Sequence, residues 1–143
     1  MDGWHPIADS PSRSPPYNRR VTFRLLGVML LVWEPLNFAA KAMTVLPTLA
    51  YRGFVPGVEL FLHALVAALN AAAGLAVVNA TPASHRLATV AVLASCARTI
   101  QSVSFTSLPS ETVPGQEPYV VIAALTLTVL ALAVIRRSTR SSR

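Results

Sequence analysis

Residues 58–80 read VELFLHALVAALNAAAGLAVVNA, an apolar run that contains only four polar side chains. An α-helix rises 1.5 Å per residue, so about 20 residues cross the roughly 30 Å hydrocarbon layer of a bilayer. The run is long enough for this and carries no Gly or Pro in its first half. It therefore predicts a transmembrane helix.

Three more apolar blocks accompany this one, at about 23–50, 87–108 and 119–135. Charged residues make up 13% of the 143-residue chain, against about 25% in a typical soluble domain. The sequence therefore predicts an all-α, integral membrane bundle of four transmembrane helices with short loops, formed as one domain by residues 21–136.

The two ends of the chain are polar. Residues 1–20, rich in Pro, Ser and Arg, predict a disordered N-terminal tail, and 137–143 form a basic C-terminal tail. Four spans place both ends on one side, and the arginines gather there, as in cytoplasmic segments. We expect a multi-pass protein of a bacterial inner membrane with both termini cytoplasmic.

An alternative is that the first span is a cleaved signal peptide. Arg19 and Arg20 would form its basic region, Leu25–Trp33 its apolar region, and Ala40–Ala42 its cleavage site with small residues.

The predicted spans contain several polar residues. In the first, Glu34, Asn37, Lys41, Thr44 and Thr48 fall within about 80° on a helical wheel, and lipid offers such a stripe no hydrogen bonds. The second span carries Glu59, His63, Asn70 and Gly74 on one face, and the third span carries Arg98 near its middle. The expected buried polar cluster is Glu34, Asn37, Lys41, Glu59, His63, Asn70 and Arg98.

Depth in the membrane predicts how these charges pair. Glu34 and Arg98 each lie about ten residues from the cytoplasmic ends of their spans, so we expect them to form an ion pair. A second polar layer is expected further towards the outside, formed by Lys41, Glu59 and His63. Such groups either fix helix packing or mark a proton or ion pathway.

A second face of residues 58–80 carries Ala64, Ala68, Ala72 and Ala76, one small residue every fourth position. Small residues let transmembrane helices approach closely. This face predicts contact with other membrane subunits or with a second copy of the chain, in addition to the lipid bilayer.

Several functional classes find no support in the sequence. The net charge of +6 comes from arginines that flank the apolar blocks, so we expect no nucleic-acid binding. The chain has no glycine-rich phosphate loop, HExxH, CxxC or GxSxG motif. We therefore expect no catalytic residues, no cofactor and no metal site. Cys96, the only cysteine, cannot form an intramolecular disulfide.

Two groups of four-span proteins share limited features with the chain. A chain of four short spans with a glutamate in the first resembles the small multidrug exporters, although Trp33-Glu34-Pro35 and Lys41 depart from their pattern. Arg24-Leu-Leu-Gly27, with Glu59-Leu60 and Arg86-Leu-Ala88 opening two spans, resembles the DoxX group. No residue role is transferred from either group.

The sequence thus favours a non-enzymatic accessory or assembly subunit, or a homo-oligomer, in which buried polar residues fix the helix packing. The alternative is a small proton-coupled transporter that uses Glu34 as its protonatable group. A membrane-bound redox accessory is a third possibility.

Overall fold

The computed structural model describes residues 16–105, 107 and 113–139, and these residues form helices joined by turns. Four helical segments are long and apolar enough to cross a membrane, which confirms the predicted all-α bundle of four spans. The elements are α1 (Pro16–Val45), a 3-10 turn (Leu46–Thr48), α2 (Leu49–Arg52), α3 (Phe54–Val78), α4 (Ser84–Ser104) and α5 (Glu117–Thr139).

The boundaries differ from the predicted ones mainly at the two ends of the first span. Helix α1 begins at Pro16, so residues 16–20 are helical rather than part of a tail; proline suits a first helical turn because no backbone N–H is needed there. The helix continues through Pro35 but gives way to a 3-10 turn at Pro47. Residues 1–15 and 140–143 of the predicted tails lie outside the described residues.

Two glycines bring the backbones of α1 and α3 together. A Cβ atom added to Gly74 would lie 2.6 Å from the carbonyl oxygen of Gly27 and 2.7 Å from the backbone nitrogen of Leu31. A Cβ on Gly27 would lie 2.6 Å from Cγ1 of Val77. A side chain at position 74 would overlap backbone atoms of α1, so the two helix backbones lie in close contact at this crossing.

One end of the bundle gathers the start of α1, the start of α4 and the end of α5. The ring of Phe23 stacks on His85 with centroids 4.7 Å apart, and His85 Nε2 lies 3.0 Å from Ser138 Oγ. The buried apolar residues of this end are Phe23, Leu30, Ala73, Val77, Ala88, Ala91, Val92 and Ile135.

Helix α5 joins this core through its C-terminal half. Among its described residues, Ile135 is the only buried one, while Ala131, Leu132 and Val134 pack against the core partly buried. The first half of α5 therefore covers little of α1, and a crevice opens between the two helices.

Candidate functional site: a buried carboxylate shared by three helices

Glu34 lies near the middle of α1, and its side chain is only 8% exposed. Its Oε2 atom lies 3.5 Å from Nε2 of His63 on α3 and 3.7 Å from Nε of Arg98 on α4. The predicted Glu34–Arg98 pair is thus confirmed, because equal depth places both residues at one level of the bundle. A single carboxylate connects three of the four spans.

The structure corrects the position predicted for His63, which lies against Glu34 rather than in an outer layer with Lys41 and Glu59. His63 is eleven residues from Gly74, about 20° away on the helical wheel, so it shares the face of α3 that packs on α1. Its side chain is 2% exposed, and the edge of Phe38 closes the other side at 5.4 Å.

Glu59 and Lys41 lie further along the bundle from this centre, and both are half-buried. The Glu59 carboxylate accepts hydrogen bonds from the backbone N–H of Ser107, at 3.0 Å to Oε1 and 3.1 Å to Oε2. Glu59 therefore ties the start of α3 to the segment that follows α4.

Asn70 joins α3 to α4 beside the carboxylate centre. Its side chain is fully buried, and its Nδ2 atom donates to the Val66 carbonyl at 2.8 Å and to Ser95 Oγ at 2.9 Å. The sequence placed Asn70 on one face with His63, and the structure buries both. Sequence reasoning missed its partner, although Ser95 lies one turn before Arg98 on the same face of α4.

Asn37 does not join this cluster, contrary to expectation: its side chain is exposed. The buried residues of α1 are centred roughly 50° around the helix from the predicted polar stripe, because the contact of Gly27 with Gly74 sets the rotation of α1. Thr44 is also exposed, and its hydroxyl donates to the carbonyl of Ala40 at 3.1 Å.

The alanine face of α3 is only partly covered within the bundle. Ala76 is buried and Ala64 half-buried, whereas Ala68 and Ala72 are exposed. The middle of this face is thus accessible to a further helix.

Several buried polar atoms at the centre lack a hydrogen-bond partner among the described residues. They are Oε2 of Glu34, both ring nitrogens of His63 and Oδ1 of Asn70. The distances from Glu34 to His63 and Arg98 suit electrostatic attraction but exceed those of good hydrogen bonds. A carboxylate and an imidazole this close can exchange a proton between them, or with a molecule that reaches them.

A cavity of about 430 Å³ reaches the centre from the side, between α1 and α5. Glu34 and Asn70 lie in its wall, and the exposed side chains of Met29, Trp33 and Leu127 line its mouth.

Across residues 16–105, 107 and 113–139, no group of three His, Cys, Asp or Glu residues is placed to hold a metal ion. Comparison of the chain with protein-family models, curated proteins and solved structures finds no match.

Proposed function

We propose that the chain is a multi-pass protein of a bacterial inner membrane that acts without catalysis, as a subunit of an assembly with itself or with other membrane chains. Both termini are cytoplasmic in this proposal. The observation that carries it is Asn37, an exposed amide near the middle of the first span.

An exposed asparagine is unfavourable at this depth. The amide has two N–H donors and a carbonyl acceptor, and Asn37 makes no hydrogen bond with the residues described here. Lipid tails cannot satisfy these groups, whereas a polar group on another helix can. An amide is also its own complement, so a second copy of α1 provides a suitable partner. The exposed Ala68 and Ala72 offer a further surface for close packing.

Replacement of Asn37 by Leu tests this proposal. We expect Asn37→Leu to weaken association by about threefold to twentyfold, the range for one interhelical hydrogen bond in a membrane. Association is measured by energy transfer between labelled copies in lipid vesicles, and by identifying chains that co-purify in mild detergent.

Thr126→Val is the matched control. Thr126 is also exposed on a span, but its hydroxyl already donates to the Ile122 carbonyl at 2.8 Å, so its loss should leave association unchanged. A wild-type chain that is monomeric in lipid and purifies alone would contradict the subunit proposal, and so would equal association of both variants.

The buried centre favours a second candidate, proton-coupled transport with Glu34 as the protonatable group. A carboxylate with a nearby imidazole and a cavity beside it has the elements of a proton relay. In this candidate, protonation of Glu34 weakens its attraction to Arg98 and loosens the contact of α1 with α4.

Proteoliposomes test the transport candidate. A pH gradient across the vesicle should drive proton flux that Glu34→Gln lowers by at least about a hundredfold, the lower end of the range for loss of one proton-transfer group. Glu117→Gln is the control, because Glu117 lies at the start of α5, where its Oε2 accepts the N–H of Gly115 at 2.7 Å. Equal flux through wild type and Glu34→Gln would exclude Glu34 as the carrier.

A further inference from the structure

A second cavity lies at the end of the bundle where Phe23 stacks on His85. Its volume of about 430 Å³ lies within the roughly 300–1,000 Å³ typical of ligand pockets. The start of α1, the turn between α3 and α4, the start of α4 and the end of α5 form its walls. We call this cavity, which is lined by Arg20, Arg24 and His85, the basic pocket.

The two arginines of the basic pocket have no acidic partner in the described part of the chain. The acidic residues described are Glu34, Glu59 and Glu117. Glu34 is ten residues along α1 from Arg24, about 15 Å away along the helix axis, and the other two lie at the opposite end of the bundle. Both arginine side chains are exposed. Their guanidinium groups are therefore accessible to an anion that is not part of these residues.

The spacing of these arginines places their charges side by side. Arg20 and Arg24 are about one turn apart, so they lie on the same face of α1, where like charges repel each other. Arginines near span ends set orientation, but that role does not require them to line a cavity. Arg136 and Arg137 lie at the same end of the bundle, exposed and outside the pocket lining. An anion between Arg20 and Arg24 would offset their repulsion.

The ring of His85 forms a fixed wall of the basic pocket. Phe23 stacks on it with centroids 4.7 Å apart. The Ser138 hydroxyl donates to the carbonyl of Ile135 at 2.7 Å, so its oxygen accepts the Nε2–H of His85 at 3.0 Å. These contacts join α1, α4 and α5 without a ligand, so this side of the pocket is preformed.

The basic pocket lies at the depth of the lipid head groups. The part of α1 from Leu25 to Val45 is about 30 Å long at 1.5 Å per residue, which matches the hydrocarbon layer of a bilayer. Arg24 then lies at the edge of this layer, and Arg20 lies one turn further out. A phosphate group of the surrounding lipid is found at this level.

The chemistry of the walls identifies the ligand. The planar fork of a guanidinium matches two oxygens of a phosphate group. Phe23, Val77 and Pro82 add apolar surface, which suits the glycerol and the first acyl carbons of a lipid and would be left uncovered by a free phosphate ion. Basic pockets between transmembrane helices bind anionic head groups in this way.

We propose that the basic pocket binds the phosphate group of an anionic phospholipid through Arg20 and Arg24. This inference depends neither on the oligomeric state nor on proton transport. It also holds whichever side of the membrane this end of the bundle faces.

Native mass spectrometry of the full chain in mild detergent tests the proposal, because it counts the lipids bound to each protein. The probes are phosphatidylglycerol and phosphatidylcholine with the same acyl chains, and inorganic phosphate as a competitor. We expect one phosphatidylglycerol to bind at least about fivefold more tightly than phosphatidylcholine, the effect of one arginine on one net charge. Inorganic phosphate at the same concentration should leave the lipid bound.

Substitutions of the two arginines locate the site. Arg20→Gln and Arg24→Gln should each lower the affinity for phosphatidylglycerol about fivefold, and the double variant about twentyfold. The matched control is Arg136→Gln with Arg137→Gln, which removes the same charge from the same end outside the pocket and should leave the affinity unchanged. Circular dichroism checks that every variant keeps its helix content, and the single variants decide if the double variant does not fold.

The same titrations can overturn the proposal. It fails if the two lipids bind equally well to the wild-type chain. It fails equally if the control lowers the affinity as much as the pocket variant does, since that result would mean a diffuse attraction to the whole basic end. Full displacement of the lipid by inorganic phosphate would identify a soluble anion as the ligand and contradict the assignment to a lipid.

Discussion

Arg98 places a permanent positive charge in the third span. A central arginine opposes insertion by about 2.5–3.5 kcal/mol on translocon scales, and the contact with Glu34 offsets part of that cost. Glu34 in turn lies against His63, so the centre has one acidic and two basic groups. Removing Arg98 should therefore destabilise the bundle mainly by leaving the buried charge of Glu34 uncompensated, and less through the contacts that α4 itself loses.

We expect Arg98→Met to lower the free energy of unfolding by about 3–5 kcal/mol, because it removes the cation that compensates a buried carboxylate. The double variant Glu34→Gln with Arg98→Met should regain most of this loss, since no buried charge remains. Unfolding in mixed micelles, followed by circular dichroism, gives the values. A double variant as unstable as the sum of the two single variants would show that the residues do not interact.

At the scale of helices, the contact between Gly27 and Gly74 fixes how α1 and α3 cross. We expect Gly74→Ala to destabilise the bundle by about 1–3 kcal/mol, the usual cost of overpacking, because the new methyl group would meet backbone atoms of α1 at 2.6 and 2.7 Å. The measurement is the same unfolding titration.

Gly57→Ala is the matched control on the same helix. The nearest atom to a Cβ there is Leu49 Cδ1 at 3.9 Å, an ordinary contact, and alanine favours helix more than glycine does. This variant should be neutral or slightly stabilising. Equal destabilisation by both substitutions would mean that glycine flexibility, and not the close crossing, explains the loss at position 74.

The number and placement of the spans follow from the sequence, because length and hydropathy decide which segments can cross a bilayer. The Glu34–Arg98 pair follows too, since depth depends only on counting residues from a span's end. Helix rotation does not: the polar stripe of α1 suggested that Asn37 faces inward, but the glycine crossing turns it outward. His63 was placed in the wrong layer because its depth was misjudged: it lies 15 residues (78 − 63) from the end of α3 at Val78, close to the 14 residues (34 − 20) between Glu34 and Arg20 at the same end of the bundle.

For the whole molecule, the end that gathers Phe23, His85 and Ser138 also carries most of the cations. Arg20, Arg24, Arg86, Arg136 and Arg137 lie on this end, whereas the opposite end carries Arg52 and the acidic Glu59 and Glu117. Loop arginines and lysines near span ends determine orientation. The distribution favours a bundle with both termini in the cytoplasm.

Reporter fusions test this orientation. We expect green fluorescent protein fused after Arg143 to fluoresce, and alkaline phosphatase at that position to be inactive, because each reporter works on only one side of the membrane. Alkaline phosphatase inserted at Gly115, in the connection between α4 and α5, should be active. A tag before Met1 should remain on the mature chain, because the four-span orientation retains the first span. Cleavage after that span would remove the tag. An active phosphatase after Arg143 would place the C-terminus outside and contradict the four-span orientation, and loss of the tag would support cleavage of the first span as a signal peptide.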